Sequence, residues 1–445
     1  MKKKFFGTDG IRGSADKFPI IPSFLFYLAV SLTKVKKKKL KKILIGRDTR
    51  LSGKKIENSL ISGFHSLGVN CNCMGVVSTP MVSFYTKLLK YDYGIMISAS
   101  HNSYEDNGVK IFKKNGEKLN DNEEIKIESY INKIYKERTI PKVQSQPFSI
   151  DFSDYKNFLL KKFSFLNNLN FKIVLDCANG SLHKFAPKFF DEMGAKTFVY
   201  GCNPNGKNIN KNCGALKPEK LSRLTKKFKA DIGFSFDGDA DRVVVSDEKG
   251  KILDGDAILA TISTYLLKKK KLPKNSVIST LMSNLAFRDF LIKSGIKLFL
   301  SNVGDRYVVE EMKKKKAFIG GEQSGHIIFS DNRYSGDGIL TALFILDIAV
   351  NEKCKVSELA NGFFKKAPQK LVNLKLKKES SEILKNKKLL NLKNRLLKFN
   401  KDCDILIRKS GTENLLRVMV QCHRKKTMES IVNNLVIEIK RIDSN

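Results

Sequence analysis

The chain has 445 residues, of which 42% are apolar and none is Trp, and it carries a formal net charge of +37. Because single hydrophobic cores rarely grow past about 250 to 300 residues, this length predicts three or four domains. The longest early apolar stretch, 18–35, is interrupted by Pro19 and Pro22, and the loop-like segment 7–13 follows the basic start directly. Both features argue against a membrane span or a signal peptide, so we expect a cytoplasmic protein with no membrane partner.

The basic charge raises nucleic-acid binding as a different class of function. It is carried mainly by dispersed Lys runs such as 36–39, 268–271 and 313–316, which lack interleaved aromatic residues. Such runs are typical of solvated helix ends, so we expect no specific nucleic-acid partner. Arg occurs only 14 times, and seven copies lie in Gly-rich or acid-rich loops, at 12, 47, 50, 242, 306, 408 and 417. There a planar guanidinium suits oxyanion recognition.

The eight cysteines form no Cys-x-x-Cys pair and have no His at zinc-finger spacing. They stand at 71, 73, 177, 202, 213, 354, 403 and 422. We expect reduced, mostly buried thiols.

Strand-like apolar runs end in polar loops and are followed by helical periodicity, which predicts an α/β fold. The runs are 42–45, 94–98, 173–175, 232–236 and 298–301. In open α/β sheets ligands bind at the carboxyl ends of strands, so the loops after these runs are the candidate site. Polar stretches near 137–146, 254–256 and 364–369 mark domain boundaries, and we expect domains 1–150, 151–255, 256–368 and 369–445.

The second of these runs leads into Ser98-Ala99-Ser100-His101-Asn102, and Asn107-Gly108-Val109-Lys110 comes soon after. Taken alone, such a loop favours a turn in which Ser and Asn side chains cap the backbone.

The segment Phe236-Asp237-Gly238-Asp239-Ala240-Asp241-Arg242 places three carboxylates at alternate positions behind an apolar run. Hard oxygen ligands this close repel one another unless a cation joins them, and Gly238 permits a tight backbone. Mg²⁺ is the expected ion. Because Mg²⁺ usually keeps positions open for phosphate oxygens, and Arg242 can fork onto a phosphate, the expected ligand is phosphorylated.

Three other interpretations of this segment remain. An EF-hand would need Gly where Arg242 stands and a helix before the loop. A phosphatase of the haloacid-dehalogenase type would use the first Asp as its nucleophile and needs Thr or Val where Asp241 stands. The segment can also be a solvated acidic turn.

Two later loops also carry chemistry. Gly320-Gly321-Glu322-Gln323-Ser324-Gly325-His326 groups an acid, a hydroxyl and an imidazole suited to sugar hydroxyls, although an ordinary β-turn would fit too. Arg408-Lys409-Ser410-Gly411-Thr412-Glu413, with Arg417 beyond it, can form a backbone nest for a phosphate.

Taken together, these motifs resemble the α-D-phosphohexomutase superfamily, essentially from end to end. The resemblance also includes Phe6-Gly7-Thr8-Asp9-Gly10-Ile11-Arg12-Gly13 and Val303-Gly304-Asp305-Arg306-Tyr307-Val308. Gln323 and the stretch 208–215 resemble the glucosamine branch more than the phosphomannomutase or phosphoglucomutase branch. The superfamily differs from this chain where Ser103, Leu216, Lys217 and Asn414 stand, which leaves the fine specificity open.

The resemblance implies four domains around a central cleft, three α/β units with mixed sheets and a smaller α+β C-terminal domain. It implies that Ser100 is phosphorylated for activity and joins Asp237, Asp239 and Asp241 around one Mg²⁺ per active site. Arg12, His101 and Lys110 would surround the transferring phosphoryl group, with Lys110 a candidate proton shuttle. The implied substrate-binding residues are Arg242, Asp305, Arg306, Glu322, Ser324, His326, Arg408, Ser410, Gly411, Thr412 and Arg417.

The implied reaction interconverts glucosamine 6-phosphate and glucosamine 1-phosphate through a bisphosphorylated sugar, for amino-sugar nucleotide and cell-wall precursor synthesis. Glucose or mannose phosphates are the alternative substrates. The general acid and base, the source of the first phosphate on Ser100 and the oligomeric state stay open, with a homodimer one candidate assembly.

Overall fold

The structure is a computed structural model that describes residues 3–36, 39–137, 139–141, 148, 150–163, 169–331, 335–359, 363–409 and 415–444. Its strands form four sheets, each built from one continuous part of the chain. In the described ranges, no helix combines the length and apolar character needed to cross a bilayer.

The first sheet has six strands. They are β1 (Phe6–Gly7), β2 (Gly10–Ser14), β3 (Lys42–Arg47), β4 (Asn70–Val76), β5 (Tyr93–Ile97) and β6 (Asp106–Lys113), in the order β1-β2-β6-β5-β3-β4. Strand β3 runs parallel to β4 and β5, and the other pairs are antiparallel. The helices are α1 (Pro22–Lys34), α2 (Gly53–His65), α3 (Thr79–Leu88) and α4 (Asp121–Ile134). A reciprocal capping box between Asn120 and Glu123 starts α4.

The second sheet has five strands, β7 (Lys172–Asp176), β8 (Lys196–Tyr200), β9 (Ile232–Phe236), β10 (Val243–Asp247) and β11 (Ile252–Leu253), in the order β11-β10-β9-β7-β8. Strand β7 is parallel to β8 and β9, whereas β10 is antiparallel to β9 and β11. The helices are α5 (Ser153–Lys162), α6 (Phe185–Glu192) and α7 (Pro218–Lys227). Every residue of β9 is buried, which fits its mainly apolar sequence, and the hydroxyl of its Ser235 donates to Asp176 Oδ2 at 3.0 Å.

The third sheet has four strands, β12 (Ser276–Thr280), β13 (Lys297–Ser301), β14 (Ile319–Gly321) and β15 (Ile327–Phe329), in the order β13-β12-β14-β15. Only the β14–β15 pair is antiparallel. The helices are α8 (Gly255–Lys268), α9 (Leu285–Lys293), α10 (Asp305–Lys315), α11 (Gly338–Glu352) and α12 (Val356–Leu359), and Pro273–Asn275 forms a 3-10 turn. The side chains of Asp254 and Asp337 cap α8 and α11.

The fourth sheet has three antiparallel strands, β16 (Gln369–Lys375), β17 (Cys403–Lys409) and β18 (Leu415–Cys422), in the order β16-β18-β17. Its helices are α13 (Ser380–Lys385), α14 (Lys387–Phe399) and α15 (Lys425–Ser444). Three mixed α/β units and a smaller C-terminal α+β unit confirm the predicted fold class.

The hydrophobic core explains how these units hold together. One cluster of buried side chains runs continuously through the first three units, from Leu44 through Phe234 to Leu343. The fourth unit packs around its own cluster, which includes Val418 and Leu435. The loops between β5 and β6, β9 and β10, and β14 and β15 are therefore set on one shared core.

Two expectations about composition meet different outcomes. Lys268 and Lys313 lie in the last turns of α8 and α10, which confirms that these two Lys runs mark helix ends. The expectation that all cysteines are reduced is wrong, because Cys403 and Cys422 form a disulfide. The register of β17 and β18 places these two residues directly opposite each other, 19 positions apart in sequence. No local sequence pattern carries that pairing.

Candidate active site

Ser100 lies in the tight loop between the antiparallel strands β5 and β6. It is fully buried and adopts a left-handed φ of 55°. Its backbone N–H donates to Ser98 Oγ at 2.8 Å, and its hydroxyl donates to Asp237 Oδ2 at 2.5 Å. The loop therefore presents this hydroxyl to the acidic segment of the second unit.

The acidic segment connects β9 to β10, so it is preceded by a strand, as predicted, and cannot be part of an EF-hand. Oxygens of Asp237, Asp239 and Asp241 all lie within 4.8 Å of one another, and all three residues are buried. Burial, together with the charges of Asp241 and Asp239, raises the pKa of Asp237 to about 8. Asp239 Oδ1 accepts no hydrogen bond from the described residues. Asp241 Oδ1 likewise accepts no hydrogen bond from the described residues. Three converging buried carboxylates, two of them with such an oxygen, fit a small divalent cation.

Gly238 matters for close approach. A Cβ at this position would meet the Ser100 carbonyl oxygen at 2.7 Å, and a Cβ on Gly180 would meet the Gly238 oxygen at 2.3 Å. The left-handed residue of the segment is instead Ala240, with a φ of 59°. The acidic segment can therefore pack against the Ser100 loop because Gly238 has no side chain, and against the loop after β7 because Gly180 has none.

Lys110, on β6, supplies positive charge to this cluster. Its Nζ lies 2.7 Å from oxygens of both Asp239 and Asp241 and 3.0 Å from Asp9 Oδ2. Burial opposes its charge, but these three carboxylates raise the pKa of Lys110 well above its ordinary value. Asp9 also pairs with Arg12 on β2. Lys110 is thus a buried, charged ammonium beside the acidic segment.

His101 and Arg242 meet next to Ser100. Arg242 Nη1 donates to His101 Nδ1 at 2.8 Å, and His101 Nδ1 lies 3.5 Å from Ser100 Oγ. Burial and the charges of Arg242 and Arg12 lower the pKa of His101 to about 3. His101 is therefore neutral at physiological pH and suited to hydrogen bonding.

The loop between β14 and β15 brings the predicted sugar-binding residues to the same cleft. His326 is buried, with Nδ1 3.5 Å from Asp241 Oδ1 and Nε2 3.4 Å from Asp305 Oδ2. Burial disfavours its charge, but Asp241 and Asp305 raise the pKa of His326. Glu322 and Ser324 are half-buried, and Glu322 Oε1 accepts a hydrogen bond from the Gly304 N–H at 3.0 Å.

Arg306, predicted to bind substrate, instead contacts carboxylates of the first unit. It is nearly buried at the start of α10, and its guanidinium donates to both Glu124 oxygens, at 2.7 and 2.5 Å, and to Asp121. Glu124 and Asp121 belong to α4 of the first unit. In this conformation Arg306 joins the first and third units.

Arg408 and Arg417 face each other across β17 and β18. Burial and the charge of Arg417 lower the pKa of Arg408. Each has a buried Nε with no hydrogen-bond acceptor among the described residues. Two adjacent guanidinium groups with spare donors suit a phosphate. The other predicted members of this loop, Ser410, Gly411 and Thr412, lie outside the described residues.

Sequence reasoning missed three members of the site. Asp9 lies within a quoted motif but received no role, whereas Thr79 and Lys118 carry no local signal. Thr79 Oγ1 donates to Asp239, and Lys118 bridges Asp9 and Asp305. Lys118 thereby closes a ring of alternating acidic and basic side chains that spans three units, namely Asp9, Lys118, Asp305, His326, Asp241 and Lys110.

Named relatives are similar to this chain over nearly its whole length. A phosphoglucosamine mutase from Aliarcobacter butzleri (strain RM4018) is 42% identical over 446 residues, covering 98% of this chain and 99% of the relative. A phosphoglucosamine mutase from Campylobacter lari (strain RM2100) is 45% identical over 435 residues, covering 96% of each chain.

Solved structures share the fold. A phosphoglucomutase/phosphomannomutase family protein from Burkholderia thailandensis superposes with a TM-score of 0.77 at 21% identity, covering 98% of this chain and 97% of that one. Aspergillus fumigatus N-acetylphosphoglucosamine mutase, in complex with GlcNAc-6P and magnesium, gives a TM-score of 0.67 at 17% identity, covering 100% and 96%.

Family models match the chain in four consecutive segments. They describe the phosphoglucomutase/phosphomannomutase alpha/beta/alpha domains I, II and III and the C-terminal domain, at residues 3–138, 153–250, 254–367 and 371–437. The chain therefore belongs to the phosphoglucomutase/phosphomannomutase family.

Proposed function

We propose that this protein interconverts glucosamine 6-phosphate and glucosamine 1-phosphate by phosphoryl transfer through Ser100. The observation that carries the proposal is the hydrogen bond from Ser100 Oγ to Asp237 within the cluster of three buried carboxylates. The names of relatives that match nearly the whole chain support the choice of a hexosamine phosphate. The product would feed amino-sugar nucleotide and cell-wall precursor synthesis.

Asp237, Asp239, Asp241 and the phosphate on Ser100 would together hold one Mg²⁺. When bound, Mg²⁺ supplies charge neutralisation for the transferring phosphoryl group. The chain's own residues do the rest of the work. Buried side chains fix the Ser100 hydroxyl, and the closed cluster excludes water that would otherwise hydrolyse the phosphoserine.

Arg12, His101 and Lys110 surround the reacting group in this proposal. Phosphoryl transfer requires alignment and positive charge more than covalent chemistry, and these side chains supply both. Lys110 would donate a proton to the leaving oxygen and recover one from the attacking hydroxyl, and the carboxylates around it would draw the proton back after each transfer. His326, which also contacts Asp241, is the other group placed for this exchange.

Substrate binding would divide between two regions. Glu322, Ser324, His326 and Asp305 would hold the sugar hydroxyls, with Arg242 on the phosphate near Ser100. Arg408 and Arg417, with Ser410, Gly411 and Thr412, would clamp the phosphate that is not reacting. Arg306 would reach substrate only after leaving Glu124. The unit boundaries 1–150, 151–255, 256–368 and 369–445, a cytoplasmic location and a homodimer remain predictions.

A coupled assay tests the proposal. The purified protein, phosphorylated on Ser100 and supplied with Mg²⁺, is offered glucosamine, glucose and mannose 6-phosphates, and formation of each 1-phosphate is followed. We expect the highest kcat/KM with glucosamine 6-phosphate. A higher value with glucose or mannose 6-phosphate would instead support phosphoglucomutase or phosphomannomutase activity, and no turnover of any of the three would refute a hexose phosphate mutase.

A further inference from the structure

Arg50 follows β3 and is almost completely buried against the Ser100 loop. Protein atoms accept all five of its side-chain N–H groups, and the oxyanion among these acceptors is the Asp48 carboxylate. Nε donates to Asp48 Oδ2 at 2.9 Å. The four remaining donors reach backbone oxygens of the Ser100 loop and the start of β6, at Ser100, Asn102, Ser103 and Asp106.

The same network reaches the other side of Ser100. Asp48 Oδ2 also accepts the Ser98 hydroxyl at 2.7 Å, and Ser98 Oγ accepts the Ser100 N–H at 2.8 Å. Arg50 Nη2 binds the Ser100 carbonyl at 2.9 Å. Both backbone polar groups of Ser100 are therefore fixed by one buried assembly.

Asn210, in the second unit, also hydrogen-bonds the backbone of the Ser100 loop. Its Nδ2 donates to the Ser100 oxygen at 2.8 Å and to the Asn102 oxygen at 2.9 Å, the same two carbonyls that Arg50 Nη2 binds. Asn210 belongs to the stretch 208–215 that resembles the glucosamine branch. Arg50 of the first unit and Asn210 of the second unit thus donate to the same two carbonyl oxygens.

These hydrogen bonds hold the backbone of Ser100 in an uncommon conformation. Ser100 adopts a left-handed φ of 55°, which residues other than Gly rarely adopt. A serine that gives and recovers a phosphoryl group must present its oxygen in the same line in both halves of a cycle. A misplacement of about 1 Å can reduce such a rate about 100-fold.

We propose that Arg50 and Asn210 are positioning residues that hold the backbone of Ser100 in the geometry required for phosphoryl transfer. This inference rests on the proposed function. The two residues act through Ser100 and do not touch the sugar phosphate, so their loss lowers kcat and leaves substrate affinity largely unchanged. Because they share two acceptors, their effects are also coupled.

The test compares Arg50→Lys and Asn210→Asp in the full chain. Lys has three donors in place of five and cannot span the four carbonyls, whereas Asp removes the amide donors at the same size and tolerates left-handed backbone. The exposed residues Arg395 and Asn212 provide matched controls, Arg395→Lys and Asn212→Asp. Asn212 also has a left-handed φ, so it controls for both charge and backbone.

We expect kcat to fall about 100-fold in Arg50→Lys and about 10-fold in Asn210→Asp, with KM changed less than about threefold and both controls at the parent value. The double variant should lose less than the product of the single losses. Ser100 phosphate content and Mg²⁺ affinity are measured alongside. If Arg50→Lys does not fold, Asn210→Asp and its control decide alone.

The outcomes separate the two claims. A parent protein that converts no hexose phosphate refutes the proposed function itself. An active parent whose variants keep full kcat, or lose activity only through a raised KM, overturns the positioning role while leaving the function standing.

Discussion

At the scale of single residues, the three carboxylates of the acidic segment differ in what balances their charge. Asp239 and Asp241 each lie 2.7 Å from the Lys110 ammonium, whereas Asp237 has the Ser100 hydroxyl and a backbone N–H. Burial raises the pKa of Asp237 to about 8 for this reason. A divalent cation held by the three carboxylates would oppose this increase and favour the charged form of Asp237.

Removing one carboxylate tests the metal site. Asp239→Asn keeps the size of the side chain but removes a charged ligand, so kcat/KM should fall about 100-fold or more and the Mg²⁺ requirement should shift to higher concentration. Titration of activity and of metal binding with Mg²⁺ measures both effects. Asp154→Asn, at an exposed position of α5, is the control. Unchanged turnover at limiting and saturating Mg²⁺ would place the metal elsewhere.

Arg408 offers a second test at this scale. A bisphosphate must turn in the cleft so that each of its phosphates meets Ser100 in turn, and the other phosphate then occupies the distal clamp. Arg408→Ala should weaken glucosamine 6-phosphate and glucosamine 1-phosphate alike, about 10- to 100-fold, through lost charge-assisted hydrogen bonds. Calorimetric titration of each isomer gives the answer, with Arg395→Ala as the control. Parent-like affinity for one isomer alone would contradict a shared clamp.

At the scale of elements, the site depends on how strands end and helices begin. The acidic segment follows strand β9 and the Ser100 loop follows β5, and both strand ends were predicted from apolar runs.

The start of helix α8 contains a buried carboxyl group. Its first turn contains Asp256, fully buried, whose Oδ2 accepts the Asn284 N–H at 2.7 Å while Oδ1 has no partner among the described residues.

The first turn of α8 predicts a pH effect on stability. Burial and the charge of Asp254 raise the pKa of Asp256 to about 8, above its ordinary value of 3.8. The stability that the protonated carboxyl contributes is present below pH 4 and is lost as the pH rises from about 4 through about 8. Asp256→Asn removes this loss, so its unfolding midpoint at pH 8.5 should exceed that of the parent by about 2 °C or more. Thermal scans between pH 4.5 and 8.5 measure it, and parallel curves for parent and variant would contradict it.

At the scale of the whole molecule, the first three units are connected in a different way from the fourth. One apolar cluster runs through the first three units, beside a second cluster within the first unit, and the ring of alternating acidic and basic side chains from Asp9 to His326 joins the three units across the cleft. The fourth unit has its own core and meets the third through polar contacts, such as Gln421 Nε2 donating to Ser283 O and Arg288 pairing with Asp404. Three units thus hold the chemistry, and the fourth presents the two Arg residues.

Features that depend on neighbouring residues could be predicted from the sequence, and contacts between distant segments could not. The Ser100 loop and the acidic segment could be predicted because their chemistry is local, with apolar runs and polar residues adjacent in sequence. The partner of Arg306, the bridge through Lys118 and the Cys403–Cys422 disulfide could not, because each depends on packing between distant segments. Strand β16 was missed as well, because its largely exposed, Lys-containing sequence lacks an apolar run.

Peptide mapping of phosphate on the purified protein tests the central claim most directly. The account predicts an acid-stable phosphoserine at Ser100, absent from Ser100→Ala, whose phosphoryl group passes to the sugar and is replaced from the bisphosphate during turnover. An acyl phosphate on Asp237 that hydroxylamine releases would contradict it, because Asp237 would then be the nucleophile of a phosphatase and Ser100 only its hydrogen-bonding neighbour.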